Sequence, residues 1–239
     1  MENVYALDFD GVICDSIHEC YENSYLAFRQ THPELNNPGQ PTNSWKDAFY
    51  DFRGLVRPSK NFYYLWKLIT NDEEIPLDTV EFESEAIAFS VASEKFERIF
   101  TEVRARILML DQERFIAQNP LFQEVREHWS RLKNPLYLVT AKDPDLAKLI
   151  LKANSLEVSG IFGKGSGPKS STLLKLSNMH NLDISHIYFV DDNPEFVRET
   201  SNVGARVGLA KWGYGPYGGV FENTLESFSQ VIDFFNNED

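Results

Sequence analysis

The sequence predicts an α/β protein: a doubly wound, mostly parallel sheet interrupted after its first strand by an α-helical insert. Three observations carry this reading. Short apolar runs near both ends of the chain finish in acids or a hydroxyl, as buried parallel strands do. Helix-start signals stand between the later runs. Between the first run and the rest lie roughly a hundred residues with helical spacing and no convincing strand.

The elements follow in chain order. Val4–Asp10 is apolar up to its closing acids and reads as the first strand. From about Ser16 to about Asn119 the pattern is helical, over 18–30, 44–70 and 82–118. Ala86, Phe89, Phe96, Ile99, Phe100, Val103 and Ile107 recur at the spacing of one helix face. The proline-bearing segment Thr31–Thr42 separates the first two of these stretches. Leu136–Thr140, after Pro135, is the next strand. Asp143 N-caps a helix with Pro144 in its first position, and Leu146, Leu149, Ile150 and Ala153 form its apolar face. Ser170–Asn181 is a further helix, Ile187–Val190 a further strand, and Asn193-Pro194 opens a helix towards Ser201. Ala205–Leu209 completes the predicted sheet. The division expected is a core of 1–16 and 120–239 with a helical domain over 17–119.

Composition narrows the function. There are 23 basic and 36 acidic side chains in 239 residues, a net charge of −13. That charge repels a phosphate backbone, so no nucleic-acid partner is expected. No apolar run reaches the roughly 20 residues that span a bilayer, and Met1-Glu2-Asn3 lacks a basic leader, so neither membrane nor secretion is expected. Cys14 and Cys20 lie too far apart for a C-x-x-C pair and read as reduced thiols of a cytoplasmic protein. A monomer or homodimer is expected.

Parallel sheets bind ligands at the carboxyl ends of their strands. Here those ends carry Asp8 and Asp10, then Thr140, then Asp191 and Asp192, and Lys169 opens the helix before the last pair. Clustered carboxylates raise one another's pKa values, a cost that a divalent cation removes. An all-oxygen set suits Mg²⁺, which keeps some waters and takes a substrate phosphate oxygen. Lys169 adds a fixed positive charge facing the same phosphate.

In these residues the chain resembles the haloacid dehalogenase superfamily. Asp8-Phe9-Asp10-Gly11-Val12 with Asp15-Ser16 looks like its first motif, Thr140 its second, Lys169 in Gly167-Pro168-Lys169-Ser170 its third, and Asp191-Asp192 its fourth. Each motif is weak alone; four in order, with an insert where the family places a helical cap, are specific. The likeness covers 4–16 and about 120–212 and is nearest to the phosphoglycolate phosphatase and β-phosphoglucomutase subgroup. It implies phosphoryl transfer from a small phosphorylated substrate through an aspartyl-phosphate. Asp8 would be the nucleophile and Asp10 the general acid and base. Thr140 and backbone N–H groups near Gly11 and Ala141 would hold phosphoryl oxygens, and Lys169 would bind the phosphate and restrain Asp8. Mg²⁺ would sit on the Asp8 carboxylate, the Asp10 carbonyl and Asp192, with Asp191 nearby or also ligating. One departure is Phe196, where many relatives carry an acid.

Other motifs weigh less. Gly163–Ser170 approximates a nucleotide-binding loop, but Pro168 stands where a glycine N–H is required. Gly213–Gly218 matches a dinucleotide fingerprint without the βαβ unit that would follow it, and its Trp-Gly-Tyr-Gly stretch resembles one in phosphoglycolate-phosphatase-like relatives. The insert aromatics Trp45, Phe49, Tyr50, Phe52, Phe62, Tyr63, Tyr64 and Trp66 read as packing. Arg53, Arg57 and Lys60 form a basic cluster in an acidic chain, read either as a solvated loop or as one that meets an anionic substrate. Other activities weighed are a phosphomutase, a dehalogenase, which the second Asp and the paired acids disfavour, and a non-catalytic binding scaffold.

Overall fold

The structure is a computed structural model, and it describes residues 3–32, 42–215 and 220–236. The prolines of the segment Thr31–Thr42 lie outside the described residues. The chain divides into two compact units. One takes in the chain through Asp15 together with Pro120 onwards, and the other is Ser16–Asn119.

The first unit opens with β1 (Val4–Leu7), every residue of it buried. The second unit holds α1 (Ile17–Thr31), α2 (Asn43–Phe52), α3 (Phe62–Asn71), α4 (Thr79–Ala86), α5 (Ser90–Leu110) and α6 (Gln112–Ala117). The first unit then resumes with α7 (Gln123–His128), β2 (Leu136–Val139), α8 (Pro144–Ala153), β3 (Gly160–Phe162) and α9 (Lys169–His180). It ends with β4 (Ile187–Asp191), α10 (Pro194–Ser201), β5 (Arg206–Ala210), β6 (Thr224–Leu225) and α11 (Phe228–Asn236).

The strands form one sheet in the order β3-β2-β1-β4-β5-β6, and every pairing is parallel. β1 therefore sits between β2 and β4. Leu7 is level with Leu138 on one side and Val190 on the other, so the residues that follow these three strands emerge side by side. Val4, Ala6, Val139, Leu173, Leu176 and Phe189 are buried in one cluster on a face of this sheet. Burial on both faces explains the unbroken apolar runs.

The helix starts behave as their chemistry dictates. The Asp143 carboxylate accepts from the Asp145 N–H at 2.9 Å, and Asn193 accepts from the Glu195 N–H at 2.9 Å, each with proline next in the chain. Asp143 and Asp145 are thus a helix start rather than a second acidic site.

The sheet departs from expectation in three places. β3 lies between the runs read as consecutive strands, so Lys169 opens the helix between β3 and β4. That helix begins at Lys169 itself, since Pro168 ends the preceding loop. β6 and α11 extend the fold beyond Leu209. In the insert, 44–70 and 82–118 are each broken: Gly54 and Pro58 fall in a bend between α2 and α3, and Asp111 caps a new start at α6.

The insert has its own core, built on aromatics as its sequence suggests. Trp66 is fully buried, with ring centroids of Tyr25, Phe49 and Tyr21 at 5.1, 5.2 and 5.5 Å, and its indole N–H donates to Ser24 Oγ at 2.7 Å. Burying an indole of about 200 Å² contributes roughly 5 kcal/mol. Glu19, fully buried, is held by Arg104 through two contacts of 2.6 Å, the pairing such a charge requires. No helix among the described residues is long and apolar enough to cross a membrane.

Candidate active site

The site lies within the first unit, where β1, β2 and β4 end. The Asp8 N–H donates to the Val190 carbonyl at 2.9 Å, which extends the β1–β4 ladder by one bond and fixes where the Asp8 side chain begins. Its carboxylate is buried. Oδ2 is 3.1 Å from the Lys169 ammonium, and Oδ1 is buried without a hydrogen-bond partner.

Lys169 bridges two acids. Its Nζ is 2.6 Å from Asp191 Oδ2, and Asp191 Oδ1 accepts from the Asn193 N–H at 2.9 Å. Burial works to lower the Lys169 pKa, but Asp191 and Asp8 outweigh it and hold the ammonium above the ordinary lysine value. For Asp191, burial pushes the carboxyl up, Lys169 opposes this, and Asp8 adds to it; the net direction is upward. Phe196, at the position where many relatives carry an acid, sits under the same ammonium at 4.3 Å from its ring centroid.

Asp8, Asp191 and Asp192 each offer an oxygen within 4.8 Å of the others, and all three are buried. The three carboxylates stand together beside Lys169, and the unpartnered Asp8 oxygen belongs to the same cluster. Such a donor set fits a hard divalent cation. The Asp10 carboxylate is not among these three oxygens. It pairs instead with Lys142, at 2.9 Å.

Gly11 follows Asp10 with φ +85°, a conformation that suits glycine. A Cβ there would stand 2.3 Å from Asp192 Oδ2. The Gly11 N–H donates to the Cys14 carbonyl at 2.9 Å. That N–H is thus used inside the loop, and the glycine is needed for its backbone angle and for Asp192. At the end of β2, the Thr140 N–H donates to the Phe162 carbonyl at 2.9 Å, and Thr140 Oγ1 accepts from the Lys142 N–H at 3.2 Å. Ala141 is exposed beside it.

The Trp-Gly-Tyr-Gly stretch finds its use here. The Tyr214 N–H donates to Asp192 Oδ2 at 2.6 Å, its hydroxyl donates to Asp15 Oδ1 at 2.8 Å, and the Trp212 indole N–H donates to the Val12 carbonyl at 3.1 Å. Added Cβ atoms at Gly213 and Gly215 would lie 2.3 Å from Asp192 Cβ and 1.9 Å from the Asp192 carbonyl oxygen. The glycines let this segment close over Asp192, and Gly218 falls outside the described residues. Gly213→Ala should therefore destabilise the protein by about 1–3 kcal/mol through overpacking against the Gly11 carbonyl and the Asp192 side chain. A thermal melt checks this, and an unchanged midpoint contradicts it.

Arg53, Arg57 and Lys60 belong to the other unit. Arg57 forms a two-pronged pair with Glu83 there, with Nε 2.6 Å from Oε1. Arg53 donates to the Val56 carbonyl at 3.0 Å and lies over the Phe62 ring. Lys60 is half-buried. Lys142 and Tyr214 are the site residues that strand-end reasoning passes over. The signal for Tyr214 is the Trp-Gly-Tyr-Gly stretch, whereas no local signal marks Lys142.

Solved structures share this architecture. A haloacid dehalogenase-like hydrolase family protein from Streptococcus pneumoniae is 18% identical, with 98% of each chain covered and a TM-score of 0.59. A predicted phosphoglycolate phosphatase from Haemophilus somnus 129PT is 16% identical, with 97% of each chain covered and a TM-score of 0.61. A subfamily IA hydrolase of the superfamily from Geobacter sulfurreducens is 15% identical over 98% of this chain and 96% of its own, with a TM-score of 0.59. At such identities the likeness establishes the fold. No curated protein matches the sequence. The haloacid dehalogenase-like hydrolase model matches residues 3–197, which takes in both Asp8 and the Asp191-Asp192 pair, and the chain belongs to that family.

Proposed function

We propose that this hydrolase is a Mg²⁺-dependent phosphomonoesterase acting through an aspartyl-phosphate on Asp8. One observation carries the reading: a buried carboxylate held on one oxygen by Lys169, with its other oxygen lacking a hydrogen-bond partner. A structural carboxylate would satisfy both oxygens. A nucleophile keeps one for the substrate.

In the first step Asp8 Oδ1 bonds to phosphorus as the ester oxygen leaves, taking a proton from Asp10. In the second, Asp10 takes a proton from water, whose oxygen bonds to phosphorus and releases phosphate and the Asp8 carboxylate. The Thr140 hydroxyl accepts from the Lys142 N–H, which orients its own O–H towards a phosphoryl oxygen. Lys169 offsets the charge of nucleophile and phosphate together. Asp8, Asp192 and the Asp10 carbonyl would hold Mg²⁺, with Asp191 tied mainly to Lys169. Bound there, the ion supplies positive charge against the phosphate dianion.

The substrate in this reading is a small phosphorylated metabolite, and the name of the Haemophilus relative makes phosphoglycolate the first ester to screen. Of the basic trio in the insert, Arg57 already has Glu83 as a counter-charge, so Lys60 is the better candidate to meet an anionic substrate. Cys14 and Cys20 are buried and form no disulfide among the described residues, which supports a cytoplasmic setting.

The test is phosphate release from p-nitrophenyl phosphate and from phosphoglycolate. Activity should require Mg²⁺, vanish in EDTA and return with the ion. Turnover indifferent to both contradicts the metal assignment. A product carrying the phosphoryl group at a new position would indicate a mutase instead.

A further inference from the structure

We propose that Lys142 is a positioning residue for the reaction: it holds the Asp10 carboxyl group where proton transfer needs it. This rests on the phosphatase reading above and assigns a part to a residue outside the family motifs.

The side chain of Lys142 is 1% exposed, whereas that of Asp10 is 20% exposed. Lysine is rarely buried so fully, because its ammonium gives up hydration that only a close counter-charge offsets. Here that counter-charge is Asp10 Oδ1, at 2.9 Å. The backbone on which Lys142 stands is fixed at both polar groups. Its N–H donates to Thr140 Oγ1 at 3.2 Å, and its carbonyl accepts from the Lys164 N–H at 2.9 Å. Gly163 makes the second contact possible, because a Cβ there would lie 2.5 Å from the Lys142 carbonyl oxygen. The glycine-rich loop that mimics a nucleotide site thus buttresses Lys142. The Lys142 ammonium also lies 5.6 Å from the centroid of Phe9, the residue before Asp10.

The geometry separates two lysines with two tasks. Lys169 neutralises the nucleophile, Asp8. Lys142 pairs with Asp10 and acts through it. A carboxylate at the end of a flexible side chain loses rotamer freedom when pinned by a rigid partner, and a general acid or base must lie within hydrogen-bond reach of its proton. One anchored ammonium therefore serves both steps in which Asp10 exchanges a proton.

The test compares wild type, Lys142→Met and Lys142→Arg, each with Mg²⁺, on two esters. p-Nitrophenolate leaves without a proton, so the first step on p-nitrophenyl phosphate does not need a placed Asp10, but the second step does. In Lys142→Met, kcat for this ester should fall about 10–100-fold while kcat/KM stays near the wild-type value, and a burst of p-nitrophenolate should precede the slow steady state. An alkyl phosphate needs its leaving oxygen protonated, so there kcat/KM itself should fall by a similar factor. Lys142→Arg, which keeps the charge, should regain most of the loss.

A merely structural lysine would lower kcat and kcat/KM equally on both esters, without a burst, and that result overturns the proposal. The contrast between esters reports only folded molecules, so a poorly folding variant still decides the matter. A wild-type protein that turns over while Lys142→Met matches it on both esters overturns this inference alone. A wild-type protein inactive on both overturns the phosphatase reading and this inference with it.

Discussion

Asp8→Asn should abolish turnover and leave the fold intact. Asparagine has the same shape, and the Asp8 backbone bond to Val190 does not depend on the side chain. Lys169 keeps Asp191 at 2.6 Å, so its ammonium remains compensated. What disappears is a carboxylate oxygen able to bond to phosphorus. An amide in that place leaves only the contribution of binding and charge to catalysis, and the rate should fall at least about a thousand-fold. Phosphate release under Mg²⁺, with a thermal melt beside it, checks both halves. Residual activity above about a thousandth of wild type would count against a nucleophilic role.

The second large effect is expected at Lys169. Lys169→Met removes the ammonium that faces both Asp8 and Asp191, while Asp191 is fully buried. Breaking a buried pair from one side costs about 3–5 kcal/mol, because the remaining charge keeps its desolvation penalty without its partner. At roughly 2–4 °C per kcal/mol for a chain of this size, the melting temperature in EDTA should drop by about 6–20 °C. Methionine matches the length and apolar stem of lysine, so lost packing contributes little. Mg²⁺ should restore part of the loss, since any cation bound by Asp8, Asp191 and Asp192 stabilises the folded form by mass action. An unchanged midpoint in EDTA would contradict the assignment of Lys169 as the counter-charge of the cluster. Turnover should fall as well, for want of charge against the phosphate.

Much of this arrangement is legible in the sequence, for reasons that differ between residues. β1, β2 and β4 announce themselves because a strand covered on both faces is apolar without interruption. Asp143-Pro144 and Asn193-Pro194 mark their helices because capping is local chemistry. β3 escapes: three half-buried residues at the sheet edge leave no period to read. β6 has two residues and is shorter still. α11 carries an apolar face in Val231, Ile232, Phe234 and Phe235 that is readable on the same terms as that of α8. The site is harder to read. The four motifs give the residue types, but only long-range pairing of β1 with both β2 and β4 brings Asp8 beside Asp191. Nothing local says that Lys142 turns inward, since lysine at a strand end ordinarily faces water. Nor does spacing show that Gly11 and Gly213 are small for the sake of Asp192, 181 residues from the first of them in the chain.

The most direct measurement is the identity of the phosphorylated residue. The protein is mixed with p-nitrophenyl phosphate and Mg²⁺, quenched in acid during turnover, digested and examined by mass spectrometry. The expected result is one phosphoryl group on the peptide that contains Asp8, lost on treatment with hydroxylamine as an acyl phosphate is, and missing from Asp8→Asn. A phosphoryl group on another residue, or wild-type turnover by Asp8→Asn, would contradict the account.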